Sequence, residues 1–173
     1  MKKITLLLVA IWVFAACTKT DSFEAIFDGS VTDAVAPIEP LSPNLVTEKA
    51  IPEVLYSYGA PAYGPLGDCS EADNWVIVIN EYSDKLSKFP EIDFDKYSLV
   101  VGRYWMTGMG YTLLDQRAVV DKTVINLYIK THAVAVATAL TMDYFAAIYP
   151  KLPDLPVSLT NIKSRKPIEG LDY

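Results

Sequence analysis

Thr123-Val124-Ile125-Asn126-Leu127-Tyr128-Ile129-Lys130-Thr131 alternates residue by residue. Ile125, Leu127 and Ile129 fall on one side, and Val124, Asn126, Tyr128 and Lys130 on the other. A period of two is the mark of a strand with one face in a core and one face outward. Working outward, Ala133 to Tyr149 places Val134, Val136, Thr138, Leu140 and Met142 at every second position. Its alanines would also tolerate a helix, but β-branched residues lose rotamer freedom in helices and pack well on pleated surfaces, which favours a strand. Pro150, Pro153 and Pro156 then punctuate a turn, and Val157 to Ile162 suits a last strand. Upstream, Trp75-Val76-Ile77-Val78-Ile79 is a continuous apolar run, as in a strand covered on both faces. Leu99 to Tyr104 and Tyr111 to Val119 are further strand candidates. Tyr82, Leu86 and Phe89, spaced by four and three, predict one short helix that Pro90 closes. The expected fold is therefore mainly β, α+β at the margin: an antiparallel sheet or sandwich of short strands with one helix.

Composition limits what such a domain can do. The 173 residues are 51% hydrophobic, too apolar for wholesale disorder. A formal charge of −6 argues against nucleic acid, whose phosphates require clustered Lys and Arg. Two cysteines and one histidine exclude a disulfide framework and leave almost nothing for a structural zinc site.

The first residues form an address. Lys2 and Lys3 precede an apolar stretch from Ile4 to Phe14, too short to span a bilayer, and Ala15-Ala16-Cys17 closes it with small residues. Residues 1–16 are expected to be a signal peptide, and their removal would leave the rest two units more acidic. Phe14-Ala15-Ala16-Cys17 resembles the lipobox of bacterial lipoproteins. That resemblance implies that Cys17 is the lipidated first residue of the mature chain, with enough acyl chains for stable anchoring. Thr18 is not the aspartate of the best-known inner-membrane retention rule, so the outer membrane is the expected location, its inner or outer face left open. Residues 17–50, with Pro37, Pro40 and Pro43 three apart, are expected to form a tether of polyproline character. Residues 51–173 would then be a single β-rich domain. Its Tyr-, Gly- and Pro-rich beginning (53–74) should be mostly loop.

Signals for chemistry are sparse. His132 would have to anchor any nucleophilic dyad, and the acids near Cys69 would raise rather than lower its thiol pKa. Asp68, Glu71 and Asp73 are weak candidates for calcium, since no EF-hand spacing surrounds them. Glu91, Asp93 and Asp95 alternate with Ile92 and Phe94, so an extended segment would carry the acids outward over a buried face. A carboxylate-dependent hydrolase is compatible with these residues, yet no spacing sets an acid against a base. Gly108-Met109-Gly110 precedes neither a lysine nor a helix, so no phosphate loop is present and no cofactor is expected.

The most distinctive stretch is Tyr104-Trp105-Met106-Thr107-Gly108-Met109-Gly110-Tyr111. It is expected to be a glycine-bearing turn, tight or bulged, between two strands. Its large aromatics and methionine are of the types enriched at interface centres, which makes Tyr104, Trp105, Thr107, Gly108, Gly110 and Tyr111 candidate partner-binding residues. Thr107-Gly108-x-Gly110-Tyr111 is similar to the Thr-Gly-Gly-Tyr segment of the PrcB-like domain, named for an accessory lipoprotein subunit of a bacterial protease complex. Phe94-Asp95-Lys96-Tyr97 before a strand and Tyr149-Pro150-Lys151 near the end extend the likeness over residues 75–160, with Met109 inserted between the glycines. The resemblance implies a fold more than an activity. With chemical signals sparse and this aromatic stretch at hand, the expected role is a non-enzymatic envelope protein that binds a protein partner, as an accessory subunit of a larger complex. The alternatives are a carbohydrate-binding lipoprotein using exposed Tyr and Trp, or the hydrolase above.

Overall fold

The computed structural model describes residues 25–41, 49–61 and 74–164, with the backbone alone at 106–111 and 133–141. The chain falls into two units, residues 1–32 and 33–173. In the first, residues 25–27 are helical, and the Val31 N–H donates to the Ala25 carbonyl at 3.1 Å.

The second unit contains β1 (Ala34–Val35), β2 (Glu39–Pro40), α1 (Ala50–Ser57), β3 (Trp75–Ile79), β4 (Tyr97–Val120), β5 (Ile125–Pro150) and β6 (Val157–Ser164). It is mainly β, as expected. The strands are not all short: β4 has 24 residues and β5 has 26, and the two pair antiparallel along their whole length. Their hairpin closes at residues 121–124, where the Asp121 N–H donates to the Val124 carbonyl at 2.9 Å. β3 adds to β4 antiparallel, opposite residues 99–103, and β6 adds to β5 parallel, opposite residues 125–132. β1 and β2 lengthen the sheet at β4 and β5 respectively.

Connectivity shows that this sheet coils back on itself. β6 begins only seven residues after β5 ends, yet Val157 pairs with Ile125 at the opposite end of β5. A straight strand of that length would span roughly 80 Å, whereas the connection reaches at most roughly 26 Å. Irregular pairing is what allows such a bend: the β4–β5 register shifts between Leu113↔Thr131 and Asp115↔Lys130, and breaks more widely between Thr107↔Leu140 and Met109↔Ala135. Gly108 and residues 136–139 lie in that break. Glycine inside a strand marks such bulges and corners, because it bends without a side-chain clash. Thr107 to Tyr111 is therefore not a chain-reversing turn but a corner inside one strand, which corrects that expectation.

Coiling divides the core in two. On one side α1 and the segment after β3 cover Ile79, Leu99, Val101 and Ala146. On the other, Val100, Tyr104, Phe145, Ala147 and Tyr149 pack against Ala118, Ile125, Leu127 and Ile129 from the far half of the same two strands. β3 sits between these clusters, with Trp75 and Ile77 toward the first and Val76 and Val78 toward the second. The continuous apolar run is thus covered on both faces, and in β5 Ile125, Leu127 and Ile129 are buried while their neighbours Asn126, Tyr128 and Lys130 are less so. Ala133 to Tyr149 is strand throughout.

The helix lies elsewhere than its stripe suggested. α1 places Pro52 in its first turn, where a missing N–H costs nothing, and Glu53 there suits the positive helix end. Gly59, at φ +96°, ends it: the Ala60 N–H donates to the Leu55 carbonyl at 2.9 Å and the Gly59 N–H to Tyr56 at 3.1 Å. That pair of bonds is a Schellman cap, which glycine accommodates without strain. The helix expected over 82–89 is instead a single 3-10 turn, Asp84–Leu86. Ser83 and Ser87 bracket it and Pro90 follows, so too few residues remain to propagate a helix.

Part of the expected tether is sheet edge. Ala34 and Val35 pair with Val119 and Ala118. The N–H groups of Ile38 and Leu41 donate to Ile148 and Ala146 at 2.8 and 2.9 Å. Pro40, which has no N–H to offer, occupies an edge position where that is tolerated.

Candidate functional site

Tyr104 and Trp105 are not on the surface; they expose 1% and 8%. Tyr104 packs on Phe145 with ring centroids 5.9 Å apart, and its hydroxyl donates to Asp143 at 3.5 Å. Burial, with the Asp143 charge beside it, pushes the Tyr104 phenol well above its ordinary range. Trp105 lies on the other strand face, and its backbone N–H donates to the Asn74 side chain at 2.8 Å. Both residues belong to the interior, Tyr104 as part of the second core cluster. They are therefore not exposed anchors for a partner, a correction to their expected role. The side chains of Thr107, Gly108, Gly110 and Tyr111 lie outside the described residues, as do Cys17, Asp68, Glu71 and Asp73.

Other polar groups serve the interior. His132, 6% exposed, stands in register with Thr112 on one side and Ser164 on the other. The Tyr149 hydroxyl donates to Gln116 Oε1 at 3.2 Å in the second cluster, and burial raises its pKa far above the usual tyrosine value. Arg117 pairs with Asp115 nearby. Arg103 is buried and donates to the Pro61 carbonyl at 2.8 Å. Among the described residues, no group of His, Cys, Asp and Glu could hold a metal ion.

A concavity opens in the segment that joins β3 to β4. Its volume is about 490 Å³, and Tyr82, Leu86, Ser87, Phe89, Pro90, Glu91, Ile92 and Phe94 line it. Leu86 and Phe89 are buried and anchor the segment to the first core cluster, onto which Ile92 and Phe94 also pack. Glu91, Asp93 and Asp95 point outward between them, as the alternation predicted. Tyr82 breaks from the stripe it was expected to share, with 66% of its surface exposed.

Cationic side chains pin this segment in place. Lys151 Nζ donates to the carbonyls of Asn80 and Phe94, tying the two ends of the segment to the exit of β5. Lys85 Nζ donates to the Ser57 carbonyl at the end of α1 at 2.7 Å and sits 4.8 Å from the Tyr58 ring centroid. Lys88 pairs with Glu53 in the first turn of α1. Lys96 bonds Asp93 at 2.7 Å, which holds the Asp93 carboxyl below the usual range and raises the Lys96 ammonium above its own.

No sequence motif marks this groove, whose lining comes from an irregular segment between two strands. A volume of this order is that of a small-ligand or side-chain pocket, typically ~300–1,000 Å³. It offers aromatic and aliphatic walls with Tyr82, Ser87 and Glu91 as the polar groups. One carboxylate does not make the facing pair that glycoside hydrolysis requires. Comparison with known protein families, with curated proteins and with solved structures finds no match to this chain.

Proposed function

We propose that this chain is a non-enzymatic, lipid-anchored envelope protein that binds a protein partner through the groove of residues 82–94. The observation that carries the binding reading is the exposed Tyr82 ring beside an open, mostly apolar concavity on an otherwise well-packed domain. An exposed aromatic ring at the rim of an apolar concavity is the kind of anchor that interaction sites use. The export reading rests on Lys2, Lys3, the apolar stretch to Phe14 and the lipobox-like Phe14-Ala15-Ala16-Cys17. An accessory role in a larger envelope complex follows the PrcB-like resemblance, and Thr18 after Cys17 favours the outer membrane.

Two experiments test this. Labelling with a fatty-acid analogue should mark the chain, and Cys17→Ser should lose both label and membrane association; an unlabelled, soluble wild type overturns the anchor. Affinity purification from native membranes should bring down a stoichiometric chain that Tyr82→Ala no longer retains. Equal retention by both proteins overturns the groove as the binding site.

A carbohydrate ligand draws on the same exposed tyrosine ring. The groove has few polar side chains for a polyhydroxyl ligand, which favours a protein side chain as occupant. A glycan array binding wild type but not Tyr82→Ala reverses that order.

A further inference from the structure

We infer that the occupant of this groove is a protein segment that presents a lysine or arginine beside an apolar side chain. The inference rests on the groove reading above and adds the chemistry of the partner. Every lysine in or around the segment is already committed: Lys85 to the Ser57 carbonyl, Lys88 to Glu53, Lys96 to Asp93, and Lys151 to two backbone carbonyls. Apart from Asp93, the acids nearest the groove are not. Glu91 lines the groove and, among the described residues, forms no ion pair or side-chain hydrogen bond; the same holds for Glu81 and Asp84, exposed on either side of Tyr82. The groove therefore presents uncompensated negative charge at aromatic walls.

That combination selects a cation. The faces of Tyr82, Phe89 and Phe94 carry the negative lobe of the ring quadrupole, which attracts ammonium and guanidinium groups. Glu91 supplies a counter-charge, and Leu86, Pro90 and Ile92 can cover the methylene stem of a long basic side chain. A neutral or acidic segment would instead desolvate Glu91 with nothing to pair it, an unfavourable exchange. A neighbouring apolar residue on the partner matches the remaining walls.

The test is selection of a displayed random-peptide library on the full-length chain in detergent micelles, in parallel with Tyr82→Ala, Glu91→Gln and Glu91→Lys. Both positions are exposed, and thermal melting checks that the variants keep the wild-type fold. The expected result is enrichment of peptides with Lys or Arg adjacent to Leu, Ile, Met or Phe. Their affinity should fall about fivefold or more in Glu91→Gln and weaken with added salt, and Glu91→Lys should turn the selection toward acidic peptides. Enriched peptides that depend on Tyr82 but show no preference for Lys or Arg overturn the cationic occupant and leave the groove reading standing. Enrichment identical on wild type and Tyr82→Ala overturns both.

Discussion

Tyr104 and Trp105 expose almost nothing, whereas Tyr82 exposes 66% of its surface. The first two sit on β4 within the sheet, Tyr104 in the second core cluster and Trp105 on the opposite strand face; the third sits on a segment that connects two strands. Both regions carry large aromatics, and what differs is how much of the fold lies over each. The described aromatics on the sheet strands are buried or half-buried on either face, as Tyr104, Tyr128 and Tyr144 are. An aromatic on a connecting segment is buried only if it lies on the inward stripe, as Phe89 does. Conspicuous composition thus marked the interior, and an inconspicuous connection carries the groove.

The largest effect expected from this contrast is at Trp105. Trp105→Ala should destabilise the domain by ~3–5 kcal/mol, the usual cost of emptying a buried indole site. Urea unfolding followed by circular dichroism measures it. A loss under ~1 kcal/mol would mean that Trp105 is not core, and would return it to the list of surface anchors.

Gly102 gives the next test of the buried region. It lies in register with Phe145 across β4 and β5, and a methyl group there would run into the Phe145 ring while meeting the Trp75 carbonyl at 3.1 Å. Phe145 is itself buried against Tyr104, so it has little room to move. Gly102→Ala should therefore cost ~1–3 kcal/mol by overpacking, and the same substitution with Phe145→Leu should cost less than the sum of the two changes. Strict additivity would show that the ring is not what excludes the side chain.

How much of this was legible in the sequence follows from the same contrast. Alternation from Val124 to Lys130, the two-sided run of β3 and the outward acids Glu91, Asp93 and Asp95 are local periodicities, and each survives in the fold. α1 was hidden because eight residues with an early proline make a poor helix alone; its cap at Gly59 and its seat on the first cluster hold it. The corner at Gly108 was mistaken for a turn because glycine permits either, and only pairing with β5 decides. Tyr82 could have been suspected from the serines and the proline near it, which weaken the helix that would have buried it.

A smaller effect is expected at Tyr149, whose hydroxyl meets Gln116 in the second cluster. Tyr149→Phe should cost about 1 kcal/mol near neutral pH, the net worth of one buried hydrogen bond. The pH dependence is more telling. Burial raises the native-state pKa above the ordinary 10.0, so the unfolded chain loses this proton first. The stabilisation linked to the neutral phenol is complete below pH 10 and declines as pH rises above it. The Phe variant should show a shallower decline in alkaline unfolding curves. An unchanged slope would mean that the Tyr149 site is wetter than its burial indicates.

The smallest effect on stability is expected at Tyr82, and its smallness is the informative part. Truncating a ring that is two-thirds in water removes little buried area, so Tyr82→Ala should shift stability by no more than ~0.5 kcal/mol. The same change should abolish retention of the partner. Trp105→Ala should do the reverse: it should weaken binding only in proportion to the unfolded fraction, and stabilising conditions should restore it. Measuring both variants for melting temperature and for partner retention separates a residue that makes the surface from one that merely supports it. If Tyr82→Ala proves as destabilising as Trp105→Ala, the ring is structural and the groove loses its best evidence for function.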